Sequence, residues 1–228
     1  MALLAPKPPP FPPMPAARPP TGCRTPSPLR RRTACGSLRG DGGTLAELVA
    51  EFKESRDYSG LAFYRSQPTI ADAIRAATCT LGPEDKIEDH QRRNGRATLK
   101  RAATALLKRI KQIEKCQSFA ELLACVEEAT EGIERFGELA AYDTSFRIGL
   151  KLKLTPKAVY LHTGTRDGCR ALGLKGNRKY VEISELPKEL RLLKPHEAED
   201  FLCIYKDEFV ASKDAKGMVL TTTRQRKV

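Results

Sequence analysis

The sequence predicts a mainly α-helical protein, a compact multi-helix domain with a helix-hairpin-helix-like turn and at most one or two short strands. Three observations lead to this fold class. Apolar residues recur at helical spacing from Thr44 onward, several of these periodic segments begin at a capping residue, and only one short segment has strand character. The periodic part holds roughly 165 residues, which is enough for one hydrophobic core.

The periodic part is flanked by two segments of different composition. Residues 1–43 are rich in proline and arginine, with eleven of the sixteen prolines before position 29. Such proline density favours extended chain over a packed core, so we expect a disordered tail, with the alternative that it is a misassigned start. Residues 44–212 are predicted to form a single helical domain, and residues 213–228 a basic, flexible C-terminal tail.

Most of the net charge of +12 lies in those flanking segments, since residues 1–43 carry +6 and residues 213–228 carry +4. Inside the domain the charge is segregated: segments 86–115 and 147–180 carry +7 and +8, and segment 117–146 between them carries −6. Two arrangements are compatible with this pattern. The basic segments lie side by side and form a positive face, or each packs on the acidic segment and the charges cancel.

Cysteine and histidine give no indication of a metal site. The seven cysteines and three histidines are scattered, without a CxxC pair, and zinc sites need ligands at short, paired spacings. We therefore expect no cofactor, and reduced thiols in a cytoplasmic protein. No apolar run approaches the roughly 18 residues that a membrane span needs, so we expect no membrane partner.

Helix starts and ends can be read from caps and breakers. Thr44 with Glu47, and Ser118 with Glu121, have the spacing of N-terminal caps. The apolar stripe of residues 97–116 predicts one continuous helix, the clearest in the chain. The segment TIADAIRAATCTL predicts another, ended by Gly82-Pro83. Two short helices, LPKELRLL and HEAEDFLCIYK, each have a proline near the first turn. AVYLH is the one convincing strand.

The segment IERFG, Ile133–Gly137, is similar to the phosphate-binding turn of helix-hairpin-helix proteins. In that turn two glycines let backbone amides approach the DNA backbone, and the second helix directs its positive end at the phosphate. Gly137 fits the second glycine position, whereas Arg135 occupies the first and would contact a phosphate through its side chain. Five nearby glutamates oppose a polyanion, and a hairpin used only for packing is the alternative.

Asp143 follows the hairpin in the context YDTSFR, which resembles the catalytic aspartate of helix-hairpin-helix DNA glycosylases. The resemblance is local. Asp143 lies six residues past Gly137, closer than in those enzymes, and no lysine stands where a Schiff-base nucleophile is expected. Arg147 follows at the i+4 spacing of an ordinary helical ion pair. We favour a structural carboxylate and keep Asp143 as a weak catalytic candidate.

A second group of polar residues lies in VYLHTGTRDGCRALGLKG. A strand leads into Thr163, Gly164, Thr165 and Arg166 at the start of a short helix, an arrangement that would hold an anion. The lysine of a P-loop is missing, and Thr163 as a simple N-cap explains the same residues. His162 is a weak candidate for a base and has the ordinary alternative of a structural histidine.

The segment HQRRNGR contributes Arg92, Arg93 and Arg96 to the candidate nucleic-acid-binding residues. It precedes the clearest helix, whose outer side is basic: Lys100, Arg101, Lys108, Lys111 and Lys115. A solvated face explains these residues, and a patch that contacts a nucleic-acid backbone is the alternative. Aromatic residues for base stacking are absent around it.

Four segments taken together, HQRR, RFGELAAYDTSFRIG, AVYLHTGTRDGCRALGL and EAEDFLCIYK, resemble in order and spacing a family of uncharacterised bacterial proteins. The likeness covers about Ser66 to Lys206. In that family the hairpin more often has both glycines, so Arg135 is a departure. The resemblance implies a bacterial, cytoplasmic and helical protein, and it leaves the function open.

The leading interpretation is a non-catalytic module that contacts DNA or RNA backbone through the Gly137 hairpin and the two basic segments. The first alternative is a glycosylase-like or nucleotide-processing enzyme that uses Asp143 and the turn from His162 to Arg166. The second is a module that binds a protein partner. The sequence predicts no oligomeric state.

Overall fold

The computed structural model describes residues 44–79, 93–214 and 217–222, and these belong to one compact unit. Within these ranges the chain is mainly helical, which confirms the predicted fold class. The helices are α1 Leu45–Ser55, α2 Leu61–Arg65, α3 Ile70–Cys79, α4 Arg96–Lys108, α5 Ile110–Ile113, α6 Phe119–Thr130, α7 Glu138–Leu152, α8 Thr163–Ala171 and α9 Pro195–Ile204. No helix in the described part of the chain is long and apolar enough to traverse a bilayer.

Three helices begin at the residues that the sequence predicted. Thr44 Oγ1 accepts a hydrogen bond from the Glu47 amide at 3.3 Å, and the Glu47 carboxylate accepts one from the Thr44 amide at 2.7 Å. Ser118 Oγ likewise accepts from the Glu121 amide at 3.2 Å before α6. Pro195 takes the first position of α9, where its missing N–H would have no partner within the helix.

Two helix predictions are corrected. Residues 97–116 do not form one helix, because the backbone breaks at Arg109, with φ −106° and ψ 16°, between α4 and α5. The Arg109 guanidinium pairs with Glu128 of α6 at 2.7 Å, a tertiary contact that the uninterrupted apolar pattern does not reveal. LPKELRLL forms only a 3-10 helix, Leu190–Leu192, since the segment is too short to sustain the costly first turns of an α-helix.

The strands form two small antiparallel pairs. β1, Val159–Tyr160, pairs with β2, Tyr180–Val181, with Val159 opposite Val181, and these are the short strands that the fold class allowed. β3, Phe209–Asp214, pairs with β4, Gly217–Thr222. β4 lies within residues 213–228, and the flexibility of that segment stays a prediction. FVASKD and GMVLTT contain the β-branched residues that favour strands.

The core consists of two clusters of buried side chains. One joins α1, α8 and α9 to β1 and β2, and in it the ring of Phe201 meets the ring of Phe52 edge to face at 5.5 Å. The other contains residues of the five helices from α3 through α7, and we call it the α3–α7 cluster. β1 lies between them, since Val159 belongs to the first cluster and Tyr160 packs against the second, as alternation along a strand requires. The residues that follow β1 therefore lie at the junction of the clusters.

Candidate functional site

A tight turn connects α6 to α7, and the two helices pack against each other. The Ile133 amide donates to the Thr130 carbonyl and the Phe136 amide to the Ile133 carbonyl, both at 3.1 Å. Phe136 is buried in the α3–α7 cluster. Gly137 is the N-cap of α7 in extended backbone, with φ −88°, so it is not in the left-handed conformation. Its use in phosphate binding stays a prediction.

Arg135 stands where the hairpin motif has its first glycine, and its backbone shows why glycine suits the position. Its φ is +66°, in the left-handed region, which costs a residue with a Cβ about 1–2 kcal/mol. The Arg135 guanidinium donates a hydrogen bond to the Arg93 carbonyl. The side chain therefore ties the turn to the segment before α4.

The surface on the outer side of this turn is acidic. A cavity of about 480 Å³ there is lined by Glu127, Glu128, Glu131 and Glu138. No lysine or arginine is among the described residues that line it. Three of these carboxylates, Glu127, Glu128 and Glu138, are each paired with a cation. This side of the hairpin therefore offers a nucleic-acid backbone no cation in its described lining.

Ion pairs decide between the two charge arrangements that the sequence allowed. From the first basic segment, Arg109 pairs with Glu128 at 2.7 Å. From the second, Lys179 pairs with Glu127 at 2.6 Å. Each basic segment thus reaches the acidic segment between them, and part of the charge cancels locally. The pairs are solvent-exposed, so each contributes at most about 1 kcal/mol to stability.

His162 is the N-cap of α8, because the helix begins at Thr163. This corrects the prediction that Thr163 is the cap. Thr165 fixes the turn instead, since its Oγ1 accepts from the His162 amide at 2.7 Å and donates to the His162 carbonyl at 2.9 Å. The Thr165 hydroxyl, at the third position of the helix, thus makes hydrogen bonds to the backbone at the helix start, where a capping side chain usually makes them.

The buried partner of His162 is Glu199 on α9. His162 Nε2 and Glu199 Oε1 are hydrogen-bonded, and both residues are buried. Burial raises the pKa of the Glu199 carboxyl to about 7, with the His162 hydrogen bond acting in the opposite direction. A buried carboxyl group that titrates near neutrality beside an imidazole is typical of acid–base sites.

Sequence reasoning missed Glu199. The signal it could have used is position, because Ala198, Phe201 and Leu202 around it are all fully buried. An acidic residue among the core positions of an amphipathic helix needs a partner. The sequence did not indicate which of the three histidines supplies it.

The two predicted constellations come together at one cavity, which we call the hairpin cavity, of about 470 Å³. It is bounded by the α6–α7 turn, the start of α7, the start of α8 and the end of α9. Its lining comprises Asn94, Arg135, Gly137, Glu138, Leu139, Ala140, Asp143, His162, Thr163, Gly164, Cys203 and Lys206. Asp143 and His162 therefore line the same cavity, whereas Arg166, which the enzyme interpretation also expected there, does not line it.

The charged residues around the hairpin cavity differ in whether they have an ion-pair partner. Glu138 is held by Arg166, whose Nη1 and Nη2 lie 2.5 and 3.0 Å from its two carboxylate oxygens. Among the described carboxylates, none forms an ion pair with Arg135 or Lys206. The cavity therefore presents two cations against the carboxylate of Asp143, a balance that suits an anionic ligand.

Cys203 is a residue of this cavity that the sequence did not single out. Burial raises the pKa of its thiol to about 11, so the thiol is protonated at neutral pH and is a poor nucleophile. Its sulfur lies close to α8: a Cβ added to Gly164 would be 2.6 Å from Cys203 Sγ. Glycine at position 164 therefore lets the two helices approach and keeps this part of the cavity open.

A second cavity of about 290 Å³, which we call the tyrosine cavity, adjoins the first. Tyr142 of α7 and Tyr160 of β1 line it, and His162 and Glu138 line both cavities. Arg166 lies on this side and not in the hairpin cavity. Of the predicted catalytic group, Asp143 and His162 share one space, and Arg166 reaches it only through Glu138.

Arg147, the predicted helical partner of Asp143, is buried. Its guanidinium lies 5.3 Å from the centre of the Tyr64 ring, and its Nη1 is 3.5 Å from the Ala77 carbonyl oxygen. These contacts connect α7 to α2 and α3. An ion pair between Asp143 and Arg147 stays a prediction.

The basic residues of α4 line a separate surface, which we call the basic groove. Lys100, Arg101 and Lys108 line it with Thr104 of the same helix and Ile133 of the turn, around a volume of about 390 Å³. No acidic residue is among its described lining. Arg93 and Arg96 are exposed nearby in sequence, whereas Arg92 and His90 lie outside the described residues.

No group of three or more metal-ligating side chains occurs in the part of the chain that the structure describes. Comparison with protein-family models, with curated proteins and with solved structures finds no match. The family resemblance of the four sequence segments therefore stays a prediction.

Proposed function

We propose that the chain is a nucleotide-processing enzyme that binds a phosphate-bearing ligand in the hairpin cavity. The observation that carries this proposal is the convergence of Asp143 and His162 on one cavity, with His162 held from behind by the buried Glu199. The sequence favoured a non-catalytic module, and this geometry favours its first alternative.

The roles follow from the contacts. Arg135 and Lys206 attract the phosphate, because neither pairs with a described carboxylate. His162 accepts the proton of a water that attacks the ligand and returns it to the leaving group, while Asp143 orients that water. Glu199 is a positioning residue, since its hydrogen bond holds the imidazole ring in place.

Turnover of a panel of nucleoside mono-, di- and triphosphates and short oligonucleotides tests the proposal, with separate detection of released phosphate, nucleoside and base. We expect His162→Gln to lower kcat by at least about 100-fold, the usual contribution of general acid–base catalysis. His196→Gln is the matched control. His196 lies on the same helix as Glu199, packs against the rings of Tyr58 and Phe146, and does not line the hairpin cavity or the tyrosine cavity.

Two further variants separate the roles. Asp143→Asn is expected to lower kcat, and Asp167→Asn, an exposed carboxylate on α8 paired with Arg170, is expected to leave it unchanged. Glu199→Gln is expected to alter the pH profile of kcat, which a merely structural role would not do. Absence of both binding and turnover across the panel would overturn the proposal.

A second function, contact with a nucleic-acid backbone, is favoured by the basic groove. Three cations without an acidic neighbour in the lining are the charge pattern that phosphates require. We expect the full chain to bind single- or double-stranded oligonucleotides with a steep salt dependence. Replacing Lys100, Arg101 and Lys108 by alanine is expected to flatten the slope by about one unit for each phosphate that is no longer neutralised.

Lys188→Ala is the control for the groove, because Lys188 is highly exposed and lies between β2 and α9. The basic flanking segments are the same in every variant, so the difference between variants reports on the groove alone. An unchanged salt slope in the triple variant would contradict this second function.

A further inference from the structure

One wall of the tyrosine cavity consists of the rings of Tyr142 and Tyr160, and two further rings, Phe119 and Tyr180, pack against Tyr160. The ring of Tyr160 is half-buried and its centre lies 6.0 Å from that of Tyr142, 5.2 Å from Phe119 and 5.8 Å from Tyr180. At about 290 Å³, the cavity is near the lower end of small-molecule pockets. A wall of this kind binds a flat, apolar-faced group by stacking.

The cations of this cavity are already matched by carboxylates. Arg166 pairs with Glu138, and Lys179 pairs with Glu127 at 2.6 Å. Arg178, also in the lining, holds Glu185 through both terminal nitrogens, at 3.2 and 2.6 Å. An anion would have to displace these partners, so the cavity suits an uncharged ligand.

Two polar groups remain for such a ligand. The hydroxyl of Tyr142 is buried and has no hydrogen-bond partner among the described residues, and buried polar groups in folded proteins nearly always have one. Asn177 is exposed at the rim and offers both an amide donor and a carbonyl acceptor. Stacking rings with a few hydrogen-bonding groups at the edge are what a heteroaromatic base requires.

We infer that the tyrosine cavity receives the heteroaromatic base of the nucleotide whose phosphate occupies the hairpin cavity. The inference rests on the proposed function, and it names the substrate class. His162 and Glu138 line both cavities, so a ligand that fills both passes beside the imidazole. The base is held by Tyr160 and Tyr142, and the phosphate by Arg135 and Lys206.

Calorimetric titration of the full chain with four kinds of probe tests the inference. The probes are inorganic pyrophosphate, ribose 5-phosphate, a set of ribonucleosides, and the corresponding nucleoside 5′-monophosphates. We expect at least one nucleotide to bind about tenfold or more tightly than ribose 5-phosphate, because base stacking on an aromatic ring has roughly that effect.

Two variants test whether this gain in affinity over ribose 5-phosphate comes from the tyrosine cavity. Tyr160→Leu is expected to abolish the advantage of the nucleotide over ribose 5-phosphate and to leave pyrophosphate binding unchanged. Tyr142→Phe keeps the ring and is expected to weaken nucleoside binding about threefold to tenfold. Tyr58→Phe is the control, because the Tyr58 hydroxyl binds Asp200 outside both cavities.

The outcomes separate the inference from the proposed function. Nucleotides that bind no more tightly than ribose 5-phosphate overturn the base site and leave the phosphate site standing. Nucleosides that bind and lose affinity in Tyr160→Leu support the base site, even when pyrophosphate does not bind and the proposed function fails.

Discussion

The two cavities on either side of His162 are lined by similar residue types and differ in how their charges are paired. In the tyrosine cavity each cation meets a carboxylate, as Arg166 meets Glu138. In the hairpin cavity Arg135 and Lys206 have no described carboxylate partner. The number of lysines and arginines in a segment therefore says little about where an anion binds, because the partners that folding supplies decide which cations remain available.

The largest effect that we expect comes from substituting the glycines of α8, of which Gly164 lines the hairpin cavity and Gly168 lines neither cavity. A Cβ at Gly168 would overlap the backbone carbonyl oxygen of Leu202 in α9, whereas one at Gly164 would overlap only the Cys203 sulfur and would lie in ordinary contact with the His162 ring, 3.6 Å from its Cε1. We expect Gly168→Ala to lower the free energy of unfolding by about 3 kcal/mol and Gly164→Ala by about 1 kcal/mol, as measured by urea denaturation.

Gly164→Ala also separates the cavities, because Gly164 lines the hairpin cavity and not the tyrosine cavity. Pyrophosphate binding should weaken in this variant while nucleoside binding persists. Equal losses of stability in the two alanine variants would show that α9 moves away from α8 as readily as a side chain rotates.

The buried Glu199, which is hydrogen-bonded to the His162 ring that lines both cavities, should make the stability of the protein depend on pH. The folded-state pKa of Glu199 is raised to about 7 from an ordinary value of 4.5, so the folded protein binds more protons than the unfolded chain between these values. The contribution of Glu199 to stability is therefore greatest below pH 4.5 and is lost as the pH rises through about 7.

Urea denaturation at several pH values between 4.5 and 8 measures this loss. Glu199→Gln should remove the part of the slope that the carboxyl group contributes, up to one proton per molecule. Glu197→Gln, on the same helix, is the control. His162 and the carboxylates of Asp143 and Asp200 influence Glu199 in the fold, so the comparison of variants, and not the wild-type slope alone, is informative. Parallel curves for the wild type and Glu199→Gln would contradict the prediction.

The smallest change in the free energy of unfolding is expected for Arg135, one of the two cations that line the hairpin cavity. Arg135→Gly relieves a left-handed backbone and should raise the free energy of unfolding by about 0.5–1 kcal/mol, after the greater chain entropy of glycine is subtracted. Arg135→Ala removes the same charge and keeps the strain, so it should weaken pyrophosphate binding equally without any gain in stability. Thermal and urea unfolding of the pair decide this, and equal stabilities would argue against strain at this position.

Local features of the fold could be predicted from the sequence, and features made by distant contacts could not. The caps at Thr44 and Ser118 involve residues three positions apart, so their patterns are visible in the sequence. The break at Arg109 coincides with a contact to Glu128 on another helix, and the apolar stripe gives no sign of it. Local propensity is a weak guide when tertiary contacts compete with it.

The candidate site shows the same division. Asp143 and His162 could be singled out because each lies in a recognisable turn-and-helix pattern. Glu199 carries the signal of an acidic residue among apolar core positions, but the sequence does not identify its partner. Cys203 and Lys206 carry no such signal, since this part of the chain reaches the site only through the close packing of α9 on the glycines of α8. That approach depends on the whole fold and has no local signature other than the spacing of two glycines.

The two-residue strand β1 has a consequence for how its register with β2 is fixed. Val159 packs in one core cluster and Tyr160 against the other. A slip of β1 by one residue against β2 would exchange their sides and place a tyrosine where a valine fits. The two core clusters therefore hold the register of a strand pair that is too short to hold it by its own hydrogen bonds. A residue added to the loop before β1 should be tolerated as long as Val159 stays opposite Val181.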